Sequence, residues 1–162
     1  MNKFTVPDIC DEHGENIKIC DLFLNSYGKN DKFFGQVETA RCEHSNSIVK
    51  ELVAQNGSNK VLVIQHTGAE KCSMVGDQIA QMAFDNQWKG IITNGYIRDI
   101  EVIKDIPIGV YAKNSYPKKT DKSVGKGKVG LTLKFENFIV RQDSWAYVDT
   151  NGIIFSEKEL EF

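Results

Sequence analysis

Lys60-Val61-Leu62-Val63-Ile64-Gln65 is an unbroken apolar, β-branched run closed by His66-Thr67-Gly68, and Ile91-Ile92-Thr93 is a second run of the same kind. Apolar residues at successive positions bury both faces of a strand, as parallel sheets require. Between the runs, Asp77 opens a helical pattern whose inner face is Ile79, Met82 and Ala83, with Val75 beside it. Gly90, after Trp88-Lys89, supplies the stop. Strand, crossover helix and strand of this length predict a right-handed parallel unit from Val61 to Thr93. Both strands then deliver their following loops to one edge, which is where open α/β sheets bind ligands.

Outward from this unit, Gly35-Gln36-Val37-Glu38-Thr39-Ala40 predicts another strand. A helix from about Asn46 to Gln55 follows, with Ile48, Val49, Leu52 and Val53 on one face and Gly57 as its stop. Ile106-Pro107-Ile108-Gly109-Val110-Tyr111 reads as a third strand of the set. Val129 to Val140 and Trp145 to Phe155 alternate as antiparallel strands, with turns at Asn137 and Asn151-Gly152. No repeat, low-complexity segment or Pro/Ser-rich linker divides the 162 residues, so one domain over 1–162 is expected. The fold class is α/β: central parallel strands with crossover helices, then an antiparallel, β-rich C-terminal half.

Composition narrows the function. A content of 41% hydrophobic and 26% charged residues with 3 prolines excludes disordered and collagen-like chains. A net charge of −2 offers no phosphate-neutralising surface, so no direct nucleic-acid partner is expected. No apolar run reaches the ~20 residues that cross a bilayer. Met1-Asn2-Lys3-Phe4-Thr5-Val6-Pro7-Asp8 lacks an apolar signal core, so a cytoplasmic protein without membrane contact is expected. Cys10, Cys20, Cys42 and Cys72 form no CxxC pair and read as packed free thiols. His13, His44 and His66 have no ligand spacing, and GxSxG, P-loop, GxGxxG and HExxH patterns are absent. The basic run Lys113, Lys118, Lys119, Lys122, Lys126 and Lys128 reads first as a solvated loop, and second as a surface for an acidic partner or an RNA backbone.

Two stretches carry chemistry. Gly76-Asp77-Gln78-Ile79 opens a helix, whose unpaired amides and positive dipole end favour a carboxylate or phosphate; as plain structure, Asp77 is an N-cap and Gly76 a turn residue. Asn94-Gly95-Tyr96-Ile97-Arg98-Asp99 follows the strand Ile91–Thr93 and should meet the first stretch in space. Arg98 offers a permanent cation for a carboxylate or enolate, and Asp99 and Asp77 offer hard oxygen ligands for Mg²⁺ or Mn²⁺. An adjacent Arg-Asp is also a common surface ion pair.

Asp77, twenty residues, then Arg98-Asp99, with Asn94-Gly95 just before, resembles the D-x20-R-D motif of the RraA-like family. That family contains 4-hydroxy-4-methyl-2-oxoglutarate aldolases and regulators of ribonuclease activity A. The likeness extends through Val6-Pro7-Asp8-Ile9-Cys10-Asp11, Val61 to Gly68, Trp88-Lys89-Gly90 and Tyr147-Val148-Asp149-Thr150-Asn151-Gly152-Ile153-Ile154. The resemblance implies a swivelling β/β/α fold, a homotrimer, and a class II, divalent-metal lyase acting on pyruvate-derived 2-oxo acids, often with oxaloacetate decarboxylase activity. Substrates would be 4-hydroxy-4-methyl-2-oxoglutarate and its 4-carboxy-4-hydroxy-2-oxoadipate-type relatives. By the same resemblance, the backbone at Gly76, Asp77, Gln78 and Ile79 would hold the pyruvate carboxylate and Arg98 the 2-oxo oxygen. Asp99 would bind the metal, with Asp77 reaching it through water. The longer aldolases draw a further acidic metal partner from a neighbouring subunit's C-terminal region, whereas this sequence closes on Glu159-Leu160-Glu161-Phe162. Short ribonuclease-regulating members, whose partners would be ribonuclease E or its DEAD-box helicases, commonly lose the aspartate after the arginine; Asp99 is kept here.

Overall fold

The computed structural model describes residues 3–162, so Met1 and Asn2 of the opening stretch lie outside the described residues. The helices are α1 (Val6–His13), α2 (Ser47–Val53), α3 (Asp77–Asp85) and the single turn α4 (Ile100–Ile103). In chain order the strands are β1 (Ile17–Ile19), β2 (Asn25–Ser26), β3 (Phe33–Cys42), β4 (Lys60–His66), β5 (Ser73–Val75), β6 (Gly90–Thr93) and β7 (Tyr96–Ile97). They continue with β8 (Gly109–Ala112), β9 (Asn114–Ser115), β10 (Lys128–Val129), β11 (Leu133–Lys134), β12 (Ile139–Val140), β13 (Trp145–Asp149) and β14 (Gly152–Ser156).

The main sheet runs β1-β14-β13-β3-β4-β6-β8-β2, with β10 added alongside β3. Its centre, β3-β4-β6-β8, is parallel, as the continuous apolar runs require. Its flanks are antiparallel, including the β13–β14 hairpin that turns at Thr150-Asn151. Within β4 the two faces separate cleanly. Leu62 and Ile64 pack with α2, α3 and α4 through Val49, Leu52, Ile79, Ala80, Ala83 and Ile103. Val61 and Val63 face Phe33, Ile92, Tyr111, Val148, Leu133 and Phe138 on the other side. A third cluster of Phe4, Val6, Ile9, Tyr147 and Ile154 seats α1 on the antiparallel flank. The C-terminal tail closes over it: Tyr147 Oη accepts from the Leu160 amide at 2.7 Å, and Phe162 meets Phe4, Phe34 and Tyr147.

A smaller parallel sheet, β5-β7-β9, stands beyond the C-terminal edge of the main one. Each of its strands continues one of β4, β6 and β8 in the same order, after a short break. At the β6–β7 break Asn94 straps the strands together, accepting from the His66 amide at 2.7 Å and donating to the His66 carbonyl at 3.2 Å.

Several expectations are corrected. The strand expected at Ile106–Tyr111 is Gly109–Ala112, because Pro107 has no N–H for a ladder and Ile106–Ile108 is the bend leaving α4. Val75 lies in β5 instead of on the helix face. The segment Val129–Val140 is broken: β10 pairs with β3, and only β11 and β12 pair across the Asn137 turn. The segment expected to be loop after β6 contains β7.

Phe33 shows how tightly the sheet is filled. A Cβ on Gly90 would come 2.2 Å from Phe33 Cε2, and one on Gly109 would come 2.0 Å from Phe33 Cε1, so both glycines make room for one buried ring. Overpacking of this kind costs about 1–3 kcal/mol. Gly109→Ala should lower unfolding stability by that amount in denaturant titration, and by less in a Phe33→Leu background, because the two sites share one cavity.

Candidate active site

The chemistry sits where β5 and β7 end. The β5–β7 pairing is extended by the Arg98 amide, which donates to the Val75 carbonyl at 3.0 Å, so the residues that follow, Gly76 and Asp99, emerge side by side. Gly76, in extended backbone, is the N-cap of α3. The first bond of that helix is Ala80 N–H to the Gly76 carbonyl at 3.1 Å, which leaves the amides of Asp77, Gln78 and Ile79 outside the helical ladder. This corrects the reading of Asp77 as N-cap: Asp77 is the first helical residue, and its carboxylate accepts from the next amide, Gln78, at 2.9 Å.

The capping carboxylate comes from the other loop. Asp99 adopts left-handed backbone (φ 61, ψ 37), a conformation aspartate tolerates better than most residues. It leads into α4 without capping it by its side chain; instead Asp99 Oδ2 accepts from the Asp77 amide at 3.2 Å and lies 3.9 Å from Arg98 Nε. A Cβ at position 76 would approach that oxygen to 2.8 Å, so glycine is what lets the carboxylate reach the helix start. Asp99 thus occupies the spot between a helix amide and a guanidinium where a free carboxylate would bind. Arg98 is steadied by the Pro117 carbonyl at 3.5 Å, and the Arg98 and Asp99 side chains remain 42% and 36% exposed, open to an incoming molecule.

Gly76, Asp77, Gln78, Ile79, Arg98 and Asp99 all line one cleft of about 780 Å³. Every proposed site residue is therefore brought together, as the shared sheet edge demands. Asn94-Gly95 is not among the lining residues; Asn94 is the strap described above. For a metal, the donor set is Asp99 and Asp77, with Asp121 also on the cleft. No cluster of three His, Cys, Asp or Glu side chains spaced for one ion exists among the described residues. Two carboxylates suit Mg²⁺ or Mn²⁺, which keep several waters, and do not suit the closed sites of structural zinc. Asp99 and Asp77 are oxygen donors of the hard type that the expected divalent ion would take.

Sequence reasoning missed the remaining walls. Lys118, Lys119 and Lys122 line the cleft with Lys50 of α2, so this part of the basic run is not simply a solvated loop. The signal was the run itself; its placement depends on buried polar bonds far apart in sequence. Asn46 donates to the Met74 carbonyl at 2.9 Å and accepts from Thr120 Oγ1 at 2.9 Å, and the Ser73 amide donates to the Lys118 carbonyl at 2.8 Å. The thiols stay outside the chemistry: burial pushes Cys42 up to about 12 and Cys20 up to about 11, so both remain protonated at neutral pH.

The family model described as RraA-like, Aldolase/RraA, matches residues 6–155. The chain belongs to the RraA-like family. A relative named "Putative 4-hydroxy-4-methyl-2-oxoglutarate aldolase" in Marinomonas sp. (strain MWYL1) is 40% identical over 158 residues, 98% of either chain. Among solved structures, an S-adenosylmethionine: 2-dimethylmenaquinone methyltransferase from Geobacillus kaustophilus HTA426 superposes with a TM-score of 0.92 at 30% identity, covering 97% of both chains. The RNA-processing inhibitor RraA from Thermus thermophilis also gives 0.92, at 27% identity over 98% of this chain and 96% of that one. RraA-like folds thus carry several functional names, and the site must decide among them. No helix among the described residues is long and apolar enough to cross a membrane.

His66 closes β4 beside this edge, 3.9 Å from Cys72 Sγ. Burial holds its imidazole below the ordinary 6.5, so the unfolded chain takes up a proton before the folded one. Its contribution is intact above 6.5 and is lost as pH falls from there toward the lowered folded value. Melting curves between pH 7 and pH 5 should show this decline, and His66→Gln should flatten that part of the profile.

Proposed function

We propose that this protein is a divalent-metal lyase that cleaves 4-hydroxy-4-methyl-2-oxoglutarate-type substrates by retro-aldol reaction and decarboxylates oxaloacetate. The observation that carries the reading is the meeting of Arg98, Asp99 and the α3 start in one open cleft. Both reactions leave a pyruvate enolate, and catalysis amounts to stabilising its oxygen. The amides at Asp77, Gln78 and Ile79 receive the C1 carboxylate, displacing Asp99 Oδ2 from the Asp77 amide and Asp77 Oδ1 from the Gln78 amide. Arg98 turns its guanidinium to the C2 oxygen as negative charge grows there. Asp99, with Asp77 through water, would hold Mg²⁺ or Mn²⁺, which supplies Lewis-acid polarisation of the 2-oxo group when bound. No side-chain base is needed to leave the enolate. A homotrimer is part of this proposal, on the family resemblance.

A second reading is favoured by the fold's likeness to the RNA-processing inhibitor from Thermus thermophilis: a protein-binding inhibitor of ribonuclease E or its DEAD-box helicase partners. The two make opposite demands on Asp99, because the lyase needs its carboxylate and the inhibitor needs only a surface.

Removing one such stabiliser typically costs ~10²–10³ in rate, so Arg98→Ala and Asp99→Ala should each reduce pyruvate release by at least that factor. Full activity in either variant would end the lyase assignment. EDTA should abolish pyruvate release and leave any inhibition of ribonuclease E untouched; inhibition that survives both EDTA and Asp99→Asn, with no pyruvate released by the wild type plus Mg²⁺, would establish the second reading instead.

A further inference from the structure

One residue grips the chain on both sides of the carbonyl that holds Arg98. Ser73 of β5 pairs with Tyr96 of β7 on one edge and bridges Lys119 on the other. β9 ends at Ser115 on the far side of β7, so Tyr116, Pro117 and Lys118 cross the small sheet to reach Lys119. The crossing residues present three successive carbonyls. The Tyr116 carbonyl accepts from Ser73 Oγ, the Pro117 carbonyl from Arg98 Nη1 at 3.5 Å, and the Lys118 carbonyl from the Ser73 amide at 2.8 Å. Ser73 is only 4% exposed, so its bonds to the crossing chain are shielded from competing water. The Tyr116 amide adds a bond to the Ile97 carbonyl at 2.9 Å, and Thr120 Oγ1 adds one to buried Asn46. Pro117 brings a fixed φ and no N–H of its own, which stiffens the span.

We propose that Ser73 is a positioning residue for Arg98: by clamping the carbonyls of Tyr116 and Lys118 it sets the Pro117 carbonyl, and through it the guanidinium, for the C2 oxygen. This rests on the lyase reading above. The other hold on Arg98 is Asp99 Oδ2, 3.9 Å from Nε, and in that reading the arriving C1 carboxylate displaces it. The Pro117 carbonyl is what remains. A guanidinium has five N–H donors, so one given to Pro117 leaves others for the developing oxyanion. Charge on the C2 oxygen is greatest in the transition state, whereas the α3 amides bind the C1 carboxylate in ground state and transition state alike. A loosely held Arg98 therefore lowers kcat more than it raises KM.

The test is a double-mutant cycle on Mg²⁺-loaded protein, following kcat and KM for pyruvate release from 4-hydroxy-4-methyl-2-oxoglutarate. Because misplacement by an ångström can cost ~10² in rate, Ser73→Ala, which keeps the guanidinium but loosens its support, should lower kcat about ten-fold and hold KM within about two-fold. In an Arg98→Ala background the same change should alter kcat by less than about two-fold, because nothing is left to position. An equal loss in both backgrounds, or no loss in the first, assigns Ser73 to packing or to direct substrate contact and overturns the proposal while the lyase reading stands. Should Ser73→Ala not fold, Pro117→Gly at an exposed position keeps the carbonyl, frees the span and enters the same cycle with the same two outcomes. Nitrogen-15 relaxation of Arg98 Nε in the metal-free protein is independent of turnover: the side chain should be restricted in the wild type and faster-moving in Ser73→Ala. Identical mobility in the two also overturns the proposal. A wild type that releases no pyruvate overturns the lyase reading, and this role with it.

Discussion

The site depends on one arrangement of hydrogen bonds: the parallel ladder of β4, β6 and β8 breaks and resumes as β5, β7 and β9. A parallel pair holds its strands in one direction, so whatever follows β5 and β7 must emerge at the same end. The Asn94 strap across His66 supplies the pairing that the broken backbone forgoes, and the Arg98 amide on the Val75 carbonyl extends the upper ladder to the point of departure. Gly76 and Asp99 then leave adjacent strands as neighbours, and a short contact between a carboxylate and a helix amide becomes unavoidable.

Charge in the cleft is arranged in two zones. Arg98, Asp99 and Asp77 share the corner at the start of α3, where opposite charges lie within reach of each other and of the helix dipole. Lys50, Lys119 and Lys122 line the rest and form no ion pair among the described residues. Because the molecule as a whole carries −2, this basic wall is a local feature and not a reflection of overall composition. The left-handed Asp99 is part of the same economy: the conformation aims the carboxylate back at α3, and the residue that tolerates it is the one whose oxygen is used there.

Chains that share this fold carry different functional names. A shared backbone is compatible with all of these because the sheet edge only presents loops; the side chains on them set the chemistry. Here the presented set is an arginine, a carboxylate on a helix amide and a bank of lysines.

Residue pattern alone was enough for β4, α3 and β6, for the β13–β14 hairpin, and for the convergence of Gly76-Asp77-Gln78-Ile79 with Arg98-Asp99. Apolar periodicity and a crossover's handedness are local or nearly local properties, and they leave little freedom to the edge that follows. The motif resemblance extended this to the family. Pattern was silent on β5, β7 and β9, each too short to carry a period, and it extended β8 back through Pro107. It could name the lysine run but not its address. Which loop faces which helix is settled by bonds such as Asn46 to Met74 and Thr120, whose partners lie 28 and 74 residues away along the chain. Contacts of that span leave no imprint on neighbouring residues, so the placement of the basic wall, and the donation of a helix cap by Asp99 to a helix it does not belong to, were decided only by the packed chain.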